Sequence, residues 1–431
     1  MRTPRPTPRP TPRAPRTRAR TGARRASAPA ACAAALLLAL AGTGAAPAAP
    51  AAPRAPAALL TAAAPARDAF DPATVRRLDA AITAVLKKTG APGVTVGLWI
   101  PGRGAYAKAF GVSDTRTRAP MKTDMYTRIG SVTKTFTVTA VLRLVDRGRV
   151  RLDDPVSKYV DGVPGGGNIT VRQLAGMRSG LYNYTDDPKF LDALRADPHR
   201  SFTPRELLGY AFAHPPDFAP DAKWQYSNTN TVLLGLLVEK VSGQPLAGYL
   251  REHVLDPLKL SATALPSGSE FPEPHARGYT DFSPDGAVAD ATDWNPSWGW
   301  AAGAMTSDLE DLRAWVPALV GGKLLSQATQ AQRLRLRPTG VPDVSYGLGI
   351  AEFDGWVGHN GELPGYETIA VGLPGNKGTL VILVNSDIDR GGSLSGQFAR
   401  AVTKIVTPAH VWGPPTPAPT PSGGSTPRST P

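Results

Sequence analysis

Strand-like runs in this chain are confined to its two ends, and that placement limits what it can fold into. Four lie late: "YGLGIAEF" (Tyr346–Phe353), "GWVGHNG" (Gly355–Gly361), "ETIAVGLP" (Glu367–Pro374) and "GTLVILVN" (Gly378–Asn385). Two lie early: "GVTVGLWI" (Gly93–Ile100) and, after the turn signal "PGRG", the alternating "AYAKAFGVSD". Between them the chain is helical and loop-rich, with helices expected at Val171–Met177, Pro204–Ala213 and Asn230–Gly243. A helix precedes the first strand: Val75, Leu78, Ile82, Val85 and Leu86 recur at helical spacing, with Pro72 in its first turn and Gly90 past its end. Another is expected from Ser393 to Val406. The two ends therefore build one antiparallel sheet flanked by helices, an α/β (α+β) fold, with a helical domain inserted at roughly 140–300. A cleft between two such parts is a natural small-molecule site.

The formal charge of +13 suggests an anionic partner until it is located. Nine arginines (2, 5, 9, 13, 16, 18, 20, 24 and 25) lie in the first 50 residues with no acidic residue among them. Removing them leaves 13 − 9 = +4, a mildly basic body with no call for nucleic acid. The basic stretch, the apolar run Ala30–Ala46 and the small residues after it read as an export signal over 1–49. The apolar run is shorter than the ~20 residues of a membrane span, so no stable membrane anchor is expected. An Ala/Pro linker follows over 50–67, then a globular domain over 68–406 and a flexible Pro/Thr-rich tail over 407–431. The domain is expected to work outside the cell, as a monomer. Cys32, the single cysteine, lies inside the signal, so the exported protein has neither disulfide nor thiolate metal site. The six histidines form no His-x-x-x-His pair, and no metal or cofactor is expected.

Three short motifs carry chemistry. In "GSVTKTF", Ser131 and Lys134 stand three apart at a helix start, on one face. Serine there also suits a plain helix cap. A lysine in the first turn faces the positive end of the helix dipole, which disfavours its charged form and suits it to take a proton from a neighbouring hydroxyl. In "KWQYSNTN", an extended Tyr226-Ser227-Asn228 points Tyr226 and Asn228 the same way. A phenol near an ammonium has its anion favoured and can relay protons. An asparagine amide can donate to a substrate carbonyl. In "VGHNGELPGYE", Gly361 allows another backbone to approach the strand closely. The N–H just beyond it could join that of Ser131 as an oxyanion hole.

In this order and spacing the motifs resemble those of the serine penicillin-recognising enzymes, DD-peptidases and class C β-lactamases. The blocks "IGSVTKTFT…LVDRGRVRLDDPVSKYV", "ITVRQLAGMRSGLYNYTDD", "WQYSNTN…LLGLLVEKVSG" and "SWGWAAGAMTS" look like those of soluble, secreted D-alanyl-D-alanine carboxypeptidases. The resemblance covers roughly 68–407. It implies an antiparallel sheet with an all-helical domain, Ser131 as acyl-enzyme nucleophile, Lys134 as partner base and Tyr226 as proton relay. It further implies that Asn228 contacts the substrate amide, that His359 and Gly361 lie on the cleft strand, and that Trp298 lines the cleft. The implied substrates are peptidoglycan stem peptides or other D-amino-acid peptides, with β-lactams as covalent inhibitors. Two departures bear on specificity. Asn360 and Glu362 stand where the family often has hydroxyl residues, and Ala351 and Glu352 stand where a cation would hold a terminal carboxylate. A β-lactamase or esterase on the same scaffold, or a non-catalytic wall-binding or β-lactam-sensing protein, is the alternative. Lys88-Thr89-Gly90 has the letters of the family's third motif, but it precedes Ser131 at a helix end, where Gly is a C-cap.

Overall fold

The structure is a computed structural model, described over residues 69–388 and 391–413. The expected signal (1–49), the linker (50–67) and the tail beyond 413 lie outside the described residues. Helix α1 (Pro72–Thr89) begins where Asp71 accepts from the N–H groups of Ala73 and Thr74 at 3.0 and 2.9 Å. It ends at Gly90, whose φ of 68° is left-handed and whose N–H reaches the Leu86 carbonyl. Strands β1 (Gly93–Ile100) and β2 (Gly104–Gly111) form the expected hairpin.

Short strands β3 (Thr127–Arg128) and β6 (Thr306–Ser307) pair with each other, as do β4 (Tyr279–Thr280) and β5 (Ala289–Asp290). The late strands are β7 (Arg337–Pro338), β8 (Val344–Tyr346), β9 (Ala351–Phe353), β10 (Trp356–Leu363), β11 (Tyr366–Leu373) and β12 (Gly378–Val384). All antiparallel, the main sheet runs β2-β1-β12-β11-β10-β9-β8-β7. The early hairpin joins the late strands through β1 and β12, with Thr95 opposite Leu383. Both ends of the chain thus build one sheet.

One expected strand is corrected. "YGLGIAEF" is not continuous: β8 and β9 are a tight hairpin with Tyr346 opposite Ala351. Gly349 sits at φ 62°, and the Gly347 N–H donates to the Ile350 carbonyl, so the two glycines turn the chain. The tail also begins later than 407. Trp412 is buried, its N–H donates to Thr403 Oγ1, and the Gly413 N–H donates to Asp354.

The intervening helices are α2 (Thr133–Asp146), α3 (Val171–Ala175), α4 (Pro188–Ala196), α5 (Pro204–Phe212), α6 (Asn228–Ser242), α7 (Leu246–Leu250) and α8 (Trp300–Gly303). Then follow α9 (Leu309–Gly321), α10 (Gln327–Arg333) and α11 (Leu394–Val406). None in the described residues is long and apolar enough to cross a membrane. Alternation along β12 splits the core. Leu380, Ile382 and Val384 pack with Leu78 and Ile82 of α1 and Phe398 and Val402 of α11. Val381 and Leu383 face the opposite side, with Phe136 of α2, Trp315 of α9 and the helical part.

α2 runs through the middle of that second core. The sequence shows one apolar face, yet eleven of its 14 residues are buried, threonines included. Burial is tolerated because the hydroxyls are bonded: Thr135 to the Val132 carbonyl, Thr137 to that of Ala301 and Thr139 to that of Thr135. On the other layer, buried Glu367 of β11 accepts from the N–H groups of Leu394 and Ser395, tying the start of α11 to the sheet.

Truncating Phe398 to alanine opens a void in the α1–α11 layer, remote from the cleft described below. Denaturant unfolding should show a loss of about 3–5 kcal/mol, with Ser131 chemistry unchanged in the fraction that stays folded.

Candidate active site

Ser131 sits in a single 3₁₀ turn (Gly130–Val132) that leads into α2. Its hydroxyl makes no helix-cap bond, which removes the cap reading. Two glycines place it. Gly130 has φ 51°, and a Cβ there would lie 2.6 Å from the Glu362 nitrogen. A Cβ on Gly361 would lie 2.1 Å from the Ile129 oxygen and 2.8 Å from the Ser131 nitrogen. The close approach expected at Gly361 is real, but the backbone that uses it is the chain's own turn. Ser131 is thereby pinned against β10. That strand pairs with β9 only over Trp356–Gly358, so 359–363 pairs with β11 alone.

Lys134 lies directly beneath Ser131, with no exposed surface. Its Nζ is 2.9 Å from Ser131 Oγ and 2.7 Å from the Ala302 carbonyl oxygen. Burial holds its pKa well below the usual lysine value. A neutral amine keeps a lone pair, so the Ser131–Lys134 contact can run from the serine O–H to Nζ. Tyr226, half-buried, donates its hydroxyl to Ser131 Oγ at 2.6 Å, and Nζ lies 4.8 Å from its ring centre. The expectation that the ammonium would favour a tyrosinate is not met. Burial pushes the phenol up, the Glu362 charge adds to that, and the bond to Ser131 only partly offsets them. Burial thus favours the neutral form of both groups, which suits Tyr226 to donate and Lys134 to accept a proton.

Asn228 is the first residue of α6, after an extended Ser227. Its amide nitrogen donates to Thr185 Oγ1 at 3.1 Å and its backbone N–H to Asn183 Oδ1 at 2.9 Å. The cleft in front of these groups encloses about 490 Å³. Ser131, Tyr226, Asn228, Trp298, Gly361 and Glu362 all line it, as do Tyr184, Thr185 and Asn360. His359 is placed differently: it is buried one layer behind, outside the lining. Burial lowers its pKa to about 3, with a smaller contribution from Lys134 when that is protonated, so the ring is neutral. Tyr182 does not line the cleft and stacks on His214 instead. Lys88 sits at the end of α1, bonded to Gln397 of α11, and has no part in the site.

The sequence reading missed the opposite wall. Phe190, Leu191 and Leu194 come from α4, Trp224 from the loop before α6, Phe282 from a loop after β4, and Asp387 from the end of β12. Asp387 accepts from the Gly365 N–H and the Thr280 hydroxyl, and burial raises its carboxyl to about 6. No cluster of three or more His, Cys, Asp or Glu side chains able to hold a metal occurs among the described residues.

Comparison with known proteins bears on this geometry. The family model described as Beta-lactamase matches residues 78–402. A D-stereospecific amidohydrolase from Streptomyces sp. superposes with a TM-score of 0.67 at 35% identity, over 72% of this chain and 94% of that one. The D-amino acid amidase from Ochrobactrum anthropi SV3, complexed with L-phenylalanine amide, gives 0.68 at 27% identity, over 79% and 97%. Penicillin-binding protein 4* of Bacillus subtilis is 26% identical over 307 residues, 66% of each chain, so a third of its length has no counterpart in the match.

Lys134→Arg places a permanent cation there and removes the accessible neutral form. Acylation of Ser131 should fall by about 10²–10⁴-fold, read as the rate of adduct formation by mass spectrometry. In the wild type that rate should rise with pH until Lys134 has lost its proton and then level off. His359 should add no inflection above pH 5, because its pKa of about 3 leaves it neutral there.

Proposed function

The chain belongs to the Beta-lactamase family of serine hydrolases, and from that premise we propose that it cleaves amide bonds beside D-configured residues through an acyl-enzyme on Ser131. The observation that carries the reading is the convergence of Lys134 and Tyr226 on Ser131 Oγ at 2.9 and 2.6 Å. As Oγ attacks the carbonyl carbon, its proton passes to the Lys134 amine. The two glycines let the Ser131 turn and the β10 backbone at Glu362 approach closely, and in this reading the N–H groups of Ser131 and Glu362 receive the developing oxyanion. Asn228 offers its amide to the substrate backbone. When the intermediate collapses, the C–N bond breaks and the Tyr226 phenol protonates the departing amine, regaining a proton from Lys134 by way of the site's hydrogen bonds. Water then attacks the Ser131 ester, giving up its proton to Lys134; the bond between the acyl carbon and Oγ breaks, Oγ takes that proton back, and the acid product leaves.

Support for D-configured substrates comes from the two amidohydrolase neighbours. A D-alanyl-D-alanine carboxypeptidase acting on peptidoglycan stem peptides is one member of this class. It draws on the resemblance of the three motifs, while the Bacillus subtilis penicillin-binding relative supports the expectation that β-lactams acylate Ser131. The signal-like composition of residues 1–49 supports action on the outer side of the cell membrane.

Incubation with a fluorescent penicillin and with D- and L-amino-acid amides separates the readings. We expect a Ser131 adduct that persists, hydrolysis of the D-amide, and loss of both by more than about 10³-fold in Ser131→Ala. Rapid penicillin turnover would mark a β-lactamase instead. Ester hydrolysis with neither adduct nor amide cleavage would mark an esterase.

A further inference from the structure

Tyr346 of β8 contacts His359 behind the cleft. It is buried, and its hydroxyl lies 3.1 Å from His359 Nε2. The other ring nitrogen, Nδ1, lies 2.5 Å from the Asn360 carbonyl oxygen. A carbonyl only accepts, so Nδ1 carries the proton, and Nε2 is left to accept from the Tyr346 O–H. Both nitrogens are used, and the ring has no N–H to offer a ligand. Packing fixes the arrangement: Tyr346 stands edge-on to the imidazole and packs against Trp224. The titratable groups facing His359 are Lys134 from α2, Tyr226 from the loop before α6, and Tyr346 from β8.

The cleft surface points the same way. Among the described residues, no lysine or arginine lines it, while Glu362 and Asp387 do. The guanidinium of Arg195 packs over the Phe282 ring and is not part of the lining. Phe190, Leu194, Phe282 and Trp298 form an apolar wall, which strengthens any charge–charge repulsion inside. A carboxylate entering here would meet two carboxyl side chains and an apolar wall, with a histidine behind the lining whose donor is already committed.

Resting on the acyl-enzyme reading above, we propose that the cleft selects substrates whose leaving group carries no carboxylate. These are primary amides, esters and internal peptide bonds of D-residues, and Tyr346 is the positioning residue that, with the burial of the ring, holds His359 with its one N–H turned to the Asn360 carbonyl.

The test uses two substrates with the same acyl part, diacyl-Lys-D-Ala-D-Ala and its C-terminal amide. The wild type should show kcat/KM at least about 10-fold higher for the amide. Tyr346→Phe should narrow that ratio, through a lower KM for the carboxylate substrate, and add an ionisation to the acid limb of the pH–rate profile. Asp387→Asn, which retains an acceptor oxygen for Gly365 and Thr280, should narrow the ratio too and covers the case of an unfolded Tyr346→Phe. Equal or better Ser131-dependent cleavage of the carboxylate substrate overturns this inference alone, as do unchanged ratios in the folded variants. No Ser131-dependent turnover of either substrate would remove the acyl-enzyme reading and this inference with it.

Discussion

Burying Lys134 in the first turn of α2 is the constraint on which the site depends. An isolated ammonium taken fully out of water carries a cost of several kcal/mol unless it loses its proton or gains strong partners. Here the partners near Nζ are one carbonyl oxygen and one hydroxyl, neither of them charged. The balance falls toward the neutral amine. That cost is what suits the lysine to act as a base: burial lowers its pKa, and it is held 2.9 Å from Ser131 Oγ. Tyr226 feels the same desolvation with the opposite sign, since burial favours the neutral phenol. One low-dielectric environment thus makes the lysine an acceptor and the tyrosine a donor.

The fold supplies that environment. α2 can hold a buried lysine because the rest of the helix is buried too, with its threonine hydroxyls satisfied internally. The sheet lies against one side of α2, and α8 supplies the Ala302 carbonyl. The sheet in turn needs both chain ends, since β1 pairs with β12, and Glu367 ties α11 onto it. The Gly130–Gly361 crossing then fixes Ser131 relative to β10 to within the thickness of a missing Cβ.

Much of this was legible in the sequence. The end-to-middle split of strands and helices gave the sheet with its inserted helices, and Ser131-x-x-Lys134 and Tyr226-x-Asn228 are local spacings that geometry converts into shared faces. What was not legible depends on distant contacts. Gly347 and Gly349 look like residues within a strand until β8 and β9 are seen to turn there. Phe190, Leu194 and Phe282 read as ordinary core residues, because nothing in their own segments says that they face Ser131 across a cleft. His359 was placed on the correct strand, but its depth and its bond to Tyr346 come from packing that no local pattern reports. The tyrosinate expectation failed for a related reason. Proximity to a lysine favours the phenolate only if the lysine is charged, and burial decides that.

Nitrogen-15 NMR of the lysine side chains, with the Lys134 signal assigned by its loss in Lys134→Arg, tests the central claim most directly. The account predicts the Nζ shift of a neutral amine at pH 7, with its titration midpoint displaced well below that of the exposed lysines. An Nζ that is still an ammonium at pH 7 and titrates near the usual lysine value of about 10.4 would contradict it.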